Sequence, residues 1–190
     1  MKKNVIVAVR MTLVTTVLLG IVYPLAVTGL AQLLFPRQAN GELIRVNGRV
    51  AGSRLIGQAF RSPGYFVPRP SAAGSGYDPL ASGGSNLAPT NRMLIDRVAA
   101  GVREFHAQNP GAPVPIDLVT ASGSGLDPDI SPAAADFQVP RVARERHMGE
   151  AQVRALVRKR TRGRQWGFLG EPRVNVLELN LDLDARHPMR

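Results

Sequence analysis

Two short stretches rich in glycine and serine are the parts of this sequence best suited to contact a ligand or a partner through the backbone. The first consists of Ser82, Gly83, Gly84, Ser85 and Asn86, and the second of Ser122, Gly123, Ser124, Gly125 and nearby Asp127. Glycine-rich loops can present backbone N–H groups to phosphate. The first stretch is therefore a candidate nucleotide-binding or docking loop. The second lacks the first glycine of a Gly-x-Ser-x-Gly elbow, and we interpret it as a docking loop.

The acidic and imidazole side chains do not form a catalytic or metal-binding pattern. Asp127 and Asp129 flank Pro128, but a calcium loop needs about six oxygen ligands. We therefore expect a turn in which the aspartates accept hydrogen bonds from the backbone. The three histidines are His106, His147 and His187. They lack partners at metal-ligand spacing, so we expect them at the surface. The sequence thus predicts no catalytic residues and no metal site.

Positive charge is concentrated in the segment from Arg141 to Arg173, which contains ten basic and three acidic residues. The whole chain has a net charge of +10. A nucleic-acid surface would carry interleaved aromatic residues, and this segment has only Trp166 and Phe168. A solvated helix face and a surface that docks on an acidic partner or on anionic lipid remain as interpretations. The absence of cysteine excludes disulfides and thiolate metal sites.

An uncharged run from Met11 to Phe35 contains thirteen Leu, Ile, Val or Phe residues. As a helix it would reach roughly 37 Å, which exceeds a hydrocarbon core of about 30 Å. A cleaved signal peptide is the alternative, but its apolar region spans only about 7–15 residues. The length therefore favours an uncleaved transmembrane helix. Basic residues flank the run on both sides, so charge does not fix its orientation.

The remaining residues predict one mixed α/β or α+β domain. Asn47-Gly48 indicates a hairpin over Leu43–Gln58, and residues 61–89 form a long loop whose aromatic residues favour order. Apolar spacing predicts helices over 90–108 and over Glu150–Arg160, and a short helix that starts after Ser131 and ends at Phe137. Strands are expected over Val114–Ala121 and over Leu177–Leu183, where leucines alternate with polar residues.

Several long motifs follow one another along the chain. They are Leu55-Ile56-Gly57-Gln58, Arg69-Pro70-Ser71-Ala72, Ser82-Gly83-Gly84-Ser85-Asn86-Leu87, the run from Asp117 to Pro128, and Leu169-Gly170-Glu171-Pro172-Arg173-Val174-Asn175-Val176-Leu177. With the apolar run, they make essentially the whole chain resemble the C-subunit family of the Kdp potassium-transporting P-type ATPases. Asp129 is one departure, because many members of that family carry histidine there.

The resemblance implies a bacterial inner-membrane complex that imports K⁺ using ATP. The implied partners are a channel-like potassium-binding subunit, a P-type ATPase subunit, a small single-span subunit and the lipid bilayer, without nucleic acid. Residues 1–10 would be a cytoplasmic tail, 11–35 a transmembrane helix and 36–190 an extracytoplasmic domain.

The family's C subunit is regarded as a non-catalytic factor that stabilises assembly, and also as a catalytic chaperone that raises the ATP affinity of the pump subunit. No cofactor is implied for this chain itself, and ATP would enter through the complex. The sequence agrees in one respect, because it lacks the Asp-Lys-Thr-Gly-Thr phosphorylation motif. The alternative is a membrane-anchored extracytoplasmic enzyme or ligand-binding protein that uses the glycine and serine loops.

Overall fold

The computed structural model describes residues 1–189, which form two compact units, 1–43 and 44–189. The first unit is a helix over Lys2–Leu34 that is long and apolar enough to cross a membrane. This helix includes the whole predicted span except Phe35. A short helix, α3 (Pro36–Ala39), follows it.

The long helix is regular except for one π turn. Helix α1 (Lys2–Val17) leads into a π segment (Leu18–Val22), which continues as α2 (Tyr23–Leu34). The Tyr23 N–H donates to the Leu18 carbonyl, five residues back. Pro24 lacks an N–H, and its ring would crowd the carbonyl one turn earlier. A wider turn before the proline relieves this crowding, and such π turns are a common cause of helix distortion.

The predicted hairpin is confirmed, although its paired strands end at Ser53 and do not extend to Gln58. Strand β1 (Leu43–Val46) pairs with β2 (Arg49–Ser53). The turn residues Asn47 and Gly48 have φ angles of 50° and 78°. Positive φ at both central residues is the geometry that Asn-Gly favours in tight hairpins.

The second unit has the expected mixed composition, of the α+β kind. Its antiparallel sheet has the order β3–β5–β4, with strands over Asp129–Ile130 (β3), Thr161–Arg162 (β4) and Arg173–Asn175 (β5). Its helices are α4 (Arg92–Gln108), α5 (Pro132–Glu145), α6 (Glu150–Arg160) and α7 (Val176–Arg186). Helix α6 packs against both α5 and α7. The core side chains come mainly from these three helices and from the sheet, and include Ile130, Val139, Val142, Val153, Val157, Val174, Leu179 and Leu183.

Three of the predicted helices are confirmed, with differences at their ends or on their faces. Helix α6 has the predicted bounds, and α4 begins after an Asn91 cap that accepts from the Met93 N–H. The apolar face of α4 is only partly covered, because Ile95 and Val102 are exposed. Helix α5 begins after the predicted Ser131 cap but continues beyond Phe137, through Pro140, to Glu145.

The two strands predicted outside the hairpin, over Val114–Ala121 and Leu177–Leu183, are wrong. Residues Ile116–Leu118 form a 3-10 turn, in which the Thr120 hydroxyl donates to the Ile116 carbonyl and so closes the segment locally. Residues Val176–Arg186 are helix α7, because the Asn175 side chain accepts from the Glu178 N–H and starts a helix directly after β5.

The helical form of α7 buries two of its leucines and places two of its acidic residues beside arginines. Leu179 and Leu183 lie one turn apart and are fully buried. Glu178 and Asp182 lie one turn apart on another face, where they pair with Arg162 at 2.6 Å and Arg160 at 2.7 Å. A four-residue separation places side chains on one helical face, so the leucine alternation is also compatible with a helix.

The long loop 61–89 is ordered by two buried side-chain amides, which we call the amide clamp. Asn180 accepts from the Phe66 N–H and donates to the Phe66 carbonyl, both at 2.9 Å. Gln138 accepts from the Val67 N–H at 2.9 Å and donates to the Val67 carbonyl at 3.1 Å. The clamp therefore replaces the pairing that a neighbouring strand would provide, and Phe66 is fully buried.

Two buried arginines of the α5 region hold the residues just before the clamp. Arg141 donates to the carbonyls of Pro63 and Tyr65. Arg146 donates to the Gly64 carbonyl at 2.6 Å and to Asp184 at 2.9 Å, and its guanidinium lies 4.8 Å from the centre of the Tyr65 ring. The start of the long loop is thus fixed to α5 and α7.

The clamp predicts a large cost for Asn180→Ala, which removes both partners of the Phe66 backbone. Each buried group left unpaired costs about 1–3 kcal/mol, so we expect the free energy of unfolding to fall by roughly 2–4 kcal/mol. Urea denaturation of the full chain in detergent, followed by circular dichroism, measures this loss.

The matched control for this variant is Asn91→Ala, which removes the exposed cap of α4 and should cost about 1 kcal/mol. Equal losses in the two variants would contradict the importance of the clamp.

Candidate functional site

The two glycine- and serine-rich stretches, far apart in sequence, lie against one another. The Gly83 N–H donates to the Ser124 carbonyl at 2.8 Å, and the Ser82 hydroxyl donates to the same carbonyl at 3.0 Å. A Cβ added to Gly84 would lie 3.2 Å from the Gly123 carbonyl oxygen. The structure therefore combines the two candidate loops into one surface. We call the loops 69–87 and 120–132 together the glycine patch.

Ser71 links the two halves of the glycine patch. Its hydroxyl donates to the Gly125 carbonyl at 2.6 Å and accepts from the backbone N–H groups of Ala73 and Tyr77. The Tyr77 hydroxyl in turn donates to the Arg69 carbonyl at 2.7 Å. Burial raises the pKa of Tyr77 to about 12, so this phenol stays protonated and remains a donor throughout the physiological range.

Arg69 is the second link between the loops. Its guanidinium pairs with Asp127 at 3.3 Å and donates to the carbonyls of Thr120 and Ala121. No local pattern singles out Arg69 or Ser71 as organising residues, because the partners that they hold in the other loop are some fifty positions away. Their only visible signal was membership of a motif shared with a known family.

The acidic residues near the glycine patch have structural partners, in agreement with the predicted turn. Asp127 accepts from the Asp129 N–H at 3.0 Å. Asp129 pairs with Arg173 at 3.0 Å, and burial raises the pKa of its carboxyl. Within residues 1–189, no group of three or more His, Cys, Asp or Glu side chains is placed to hold a metal ion. The three histidines are all exposed, as expected.

The glycines of the patch differ in whether their position has room for a side chain. Gly125 is buried, has a φ of 68°, and a Cβ there would lie 2.7 Å from both the Ala73 nitrogen and the Gly83 oxygen. Gly83 and Gly123 have open space at the Cβ position. Gly125 is therefore needed for the loops to approach, whereas Gly83 and Gly123 can accept a side chain without a clash.

The outer face of the glycine patch carries little charge and one protruding apolar side chain. Leu80 is 95% exposed, and Ser82, Asn86, Gly123 and Ser124 are also exposed. Several backbone donors that could bind a phosphate are used within the patch, including those of Gly83 and Gly125. These features favour contact with a protein surface over contact with a phosphate group.

The basic segment 141–173 is largely paired within the domain. Its ion pairs join Arg154 to Asp136 and Glu150, Arg160 to Asp182, Arg162 to Glu178, Arg164 to Glu171 and Arg173 to Asp129. Arg141 and Arg146 are buried in the contacts already described. Most of the positive charge of this segment is thus paired within the domain, and little of it forms a free surface for a polyanion.

The glycine patch predicts a large loss of stability for one glycine substitution and almost none for another two residues away. Gly125→Ala forces a side chain into a left-handed backbone and against two backbone atoms, so we expect a loss of about 2 kcal/mol or more in the free energy of unfolding. Gly123→Ala, the matched control, should change it by less than about 0.5 kcal/mol. Urea denaturation of both variants measures the difference, and equal stabilities would contradict the described packing.

Comparison with known proteins identifies the family. The family model described as "KdpC: K+-transporting ATPase, c chain" matches residues 5–185. A potassium-transporting ATPase KdpC subunit from Koribacter versatilis is 61% identical over 189 residues, which cover 100% of this chain and 98% of the relative. The KdpC subunit from Acidobacterium capsulatum is 60% identical over 95% of this chain and 97% of its own length.

A third relative, the potassium-transporting ATPase KdpC subunit from Caulobacter vibrioides, is 59% identical over 91% of this chain and 88% of its own length. The family model covers most of the chain, including the long apolar helix and both loops of the glycine patch. The expected resemblance is therefore confirmed, and the chain belongs to the KdpC family, the c chain of the K⁺-transporting ATPase.

Proposed function

We propose that this chain is a non-catalytic subunit that stabilises the assembly of an ATP-driven potassium uptake pump, and that it does so by docking the glycine patch on the potassium-binding subunit. The observation that carries the proposal is the locking of two distant loops into one surface with low charge. The loops are fixed by Ser71 and Arg69, and a surface that is already ordered loses little conformational entropy on binding.

The exposed residues of the patch suit a protein partner. Leu80, at 95% exposed, is an apolar side chain that could fill a pocket. The Cβ positions of Gly83 and Gly123 are open, so a partner can approach the backbone closely at these two residues. A few central residues often contribute most of the binding energy of an interface, and we propose Leu80 as one of them.

Family membership and the apolar helix support a proposal for the remaining arrangement. We propose an uncleaved anchor in a bacterial inner membrane, with the amino terminus in the cytoplasm and the second unit outside it. The proposed partners are the channel-like potassium-binding subunit, the P-type ATPase subunit and the small single-span subunit.

An effect on the ATP affinity of the pump subunit is a further proposal for the same chain, and it does not require ATP to bind the glycine patch. A direct nucleotide site, or a separate enzyme or ligand-binding activity of the loops, is less well supported. The N–H groups of Gly83 and Gly125 already donate within the patch, and the guanidinium of Arg69 is occupied by Asp127 and two carbonyls.

Docking through the glycine patch predicts that Leu80→Glu and Gly83→Val lower the recovery of the intact complex. Neither change disturbs the fold, because Leu80 is exposed and the Cβ position of Gly83 is open. A hot-spot loss of about 2 kcal/mol would weaken association roughly thirtyfold. Affinity purification from membranes and growth at low K⁺ measure the effect.

The control for these variants is Met93→Glu, which alters an exposed apolar residue of α4 outside the glycine patch. Normal recovery of the complex with both patch variants would refute docking. Saturable ATP binding by the full chain in calorimetry, lost in Gly83→Val, would favour the nucleotide function instead.

The proposed topology predicts the mass and the protease sensitivity of the mature chain. The intact mass of the membrane-extracted protein should include residues 2–31, whereas a chain that starts at Gln32 would indicate a cleaved signal peptide. Protease added to spheroplasts should digest the second unit because the proposal places it outside the cytoplasm. Its full protection in intact spheroplasts, with digestion after lysis, would reverse the orientation.

A further inference from the structure

A hairpin between β4 and β5 carries the most exposed aromatic residues of the second unit. We call residues 165–169 the aromatic tip. Trp166 is 84% exposed, Phe168 is 67% exposed and Leu169 is 41% exposed. Exposed aromatic side chains this close together are uncommon on a surface that contacts only water, and they mark sites of protein or membrane interaction.

The exposure of the aromatic tip is fixed by its backbone. Gln165 and Leu169 exchange two backbone hydrogen bonds, at 2.8 and 2.9 Å, and so close a short turn. Trp166 and Gly167 at the end of the turn have φ angles of 51° and 83°. Arg164 and Glu171 pair at 2.7 Å beside the turn. The side chains are therefore held outward by local geometry.

The charges that precede the hairpin suit an anionic surface. Arg158 and Lys159 lie in the last turn of α6, just before β4, and both are exposed. Among the described residues, neither forms an ion pair, unlike most other cations of the segment 141–173. Exposed lysine and arginine are attracted to anionic lipid headgroups, and tryptophan favours the interface between headgroups and acyl chains.

We propose that the aromatic tip inserts into the interfacial region of the bilayer that holds the apolar helix, with Arg158 and Lys159 facing anionic headgroups. The chain supplies both a candidate membrane anchor and, after a short link, the domain that carries the tip. Such a tether raises the local concentration of the tip at the membrane. This inference rests on the proposed anchoring and is independent of docking by the glycine patch.

The experiment uses Trp166 itself, because it is the single tryptophan of the chain. The full chain is reconstituted in vesicles of phosphatidylcholine with a minority of phosphatidylglycerol, and tryptophan emission is excited selectively. The same measurement is made in vesicles whose phosphatidylcholine is brominated on the acyl chains, since bromine quenches only at close range. We expect strong quenching by the brominated lipid and weak quenching by aqueous iodide.

Two sets of variants separate the contributions of the tip. Phe168→Ser should reduce quenching by the brominated lipid at least about twofold, because the ring supplies a large part of the apolar area of the tip. Met93→Ser, which alters a residue of α4 that is 70% exposed, close to the 67% of Phe168, is the matched control and should leave quenching unchanged. The double change Arg158→Gln with Lys159→Gln should weaken insertion and remove its sensitivity to salt.

The opposite pattern of quenching would overturn the proposal. That pattern is strong quenching of Trp166 by iodide with no effect of brominated lipid. If Trp166 then becomes protected from iodide only in the reconstituted complex, still without quenching by lipid, the tip docks on another subunit and not on the bilayer. Unchanged quenching and salt sensitivity in the double variant would refute the role of the two cations.

Discussion

The second unit depends on the hydrogen bonds by which Gln138 and Asn180 hold the backbone of Val67 and Phe66. Buried backbone groups must be paired, and a loop without regular structure cannot pair its own groups. The two amides meet this requirement from α5 and α7. They allow an irregular segment to contribute Phe66 to the core, and they fix the position from which the rest of the long loop runs to the glycine patch.

Arginine has a related role throughout this domain. Arg146 and Arg141 hold the loop before the clamp, and Arg69 holds the loop after it, each by donating to backbone carbonyls. The guanidinium group presents five donors in a fixed plane, so one side chain can secure several carbonyls of a segment that lacks a neighbouring strand. Much of the positive charge of the chain is thus used inside the domain, which explains why a count of basic residues alone suggested a stronger polyanion surface than the structure displays.

Features of the fold that depend on neighbouring residues could be predicted from the sequence, and features that depend on long-range contacts could not. The Asn47-Gly48 turn and the apolar spacing of α6 act over a few residues, so their patterns identified them. The strand predicted over Leu177–Leu183 was wrong because leucines at every second position also place two of them one turn apart, and only the Asn175 cap and the arginine partners favour the helix.

The candidate site was likewise predicted only in part. Both glycine-rich loops were identified by composition, and family motifs supported them. Their contact with each other, and the roles of Ser71 and Arg69, depend on partners far away in sequence, which no local pattern encodes. Glycine content also did not distinguish Gly125, whose backbone and close neighbours demand glycine, from Gly123, which has open space.

Asn175 is both the last residue of β5 and the cap of α7, so a strand becomes a helix with no loop between them. This junction makes the chain intolerant of changes in length at that point. One inserted residue would turn α7 by about 100° about its axis, and Asn180 would then point away from Phe66 while Leu183 left the core. Natural insertions and deletions in related chains should therefore fall in other segments, and a change of even one residue at this junction would require the whole domain to be repacked.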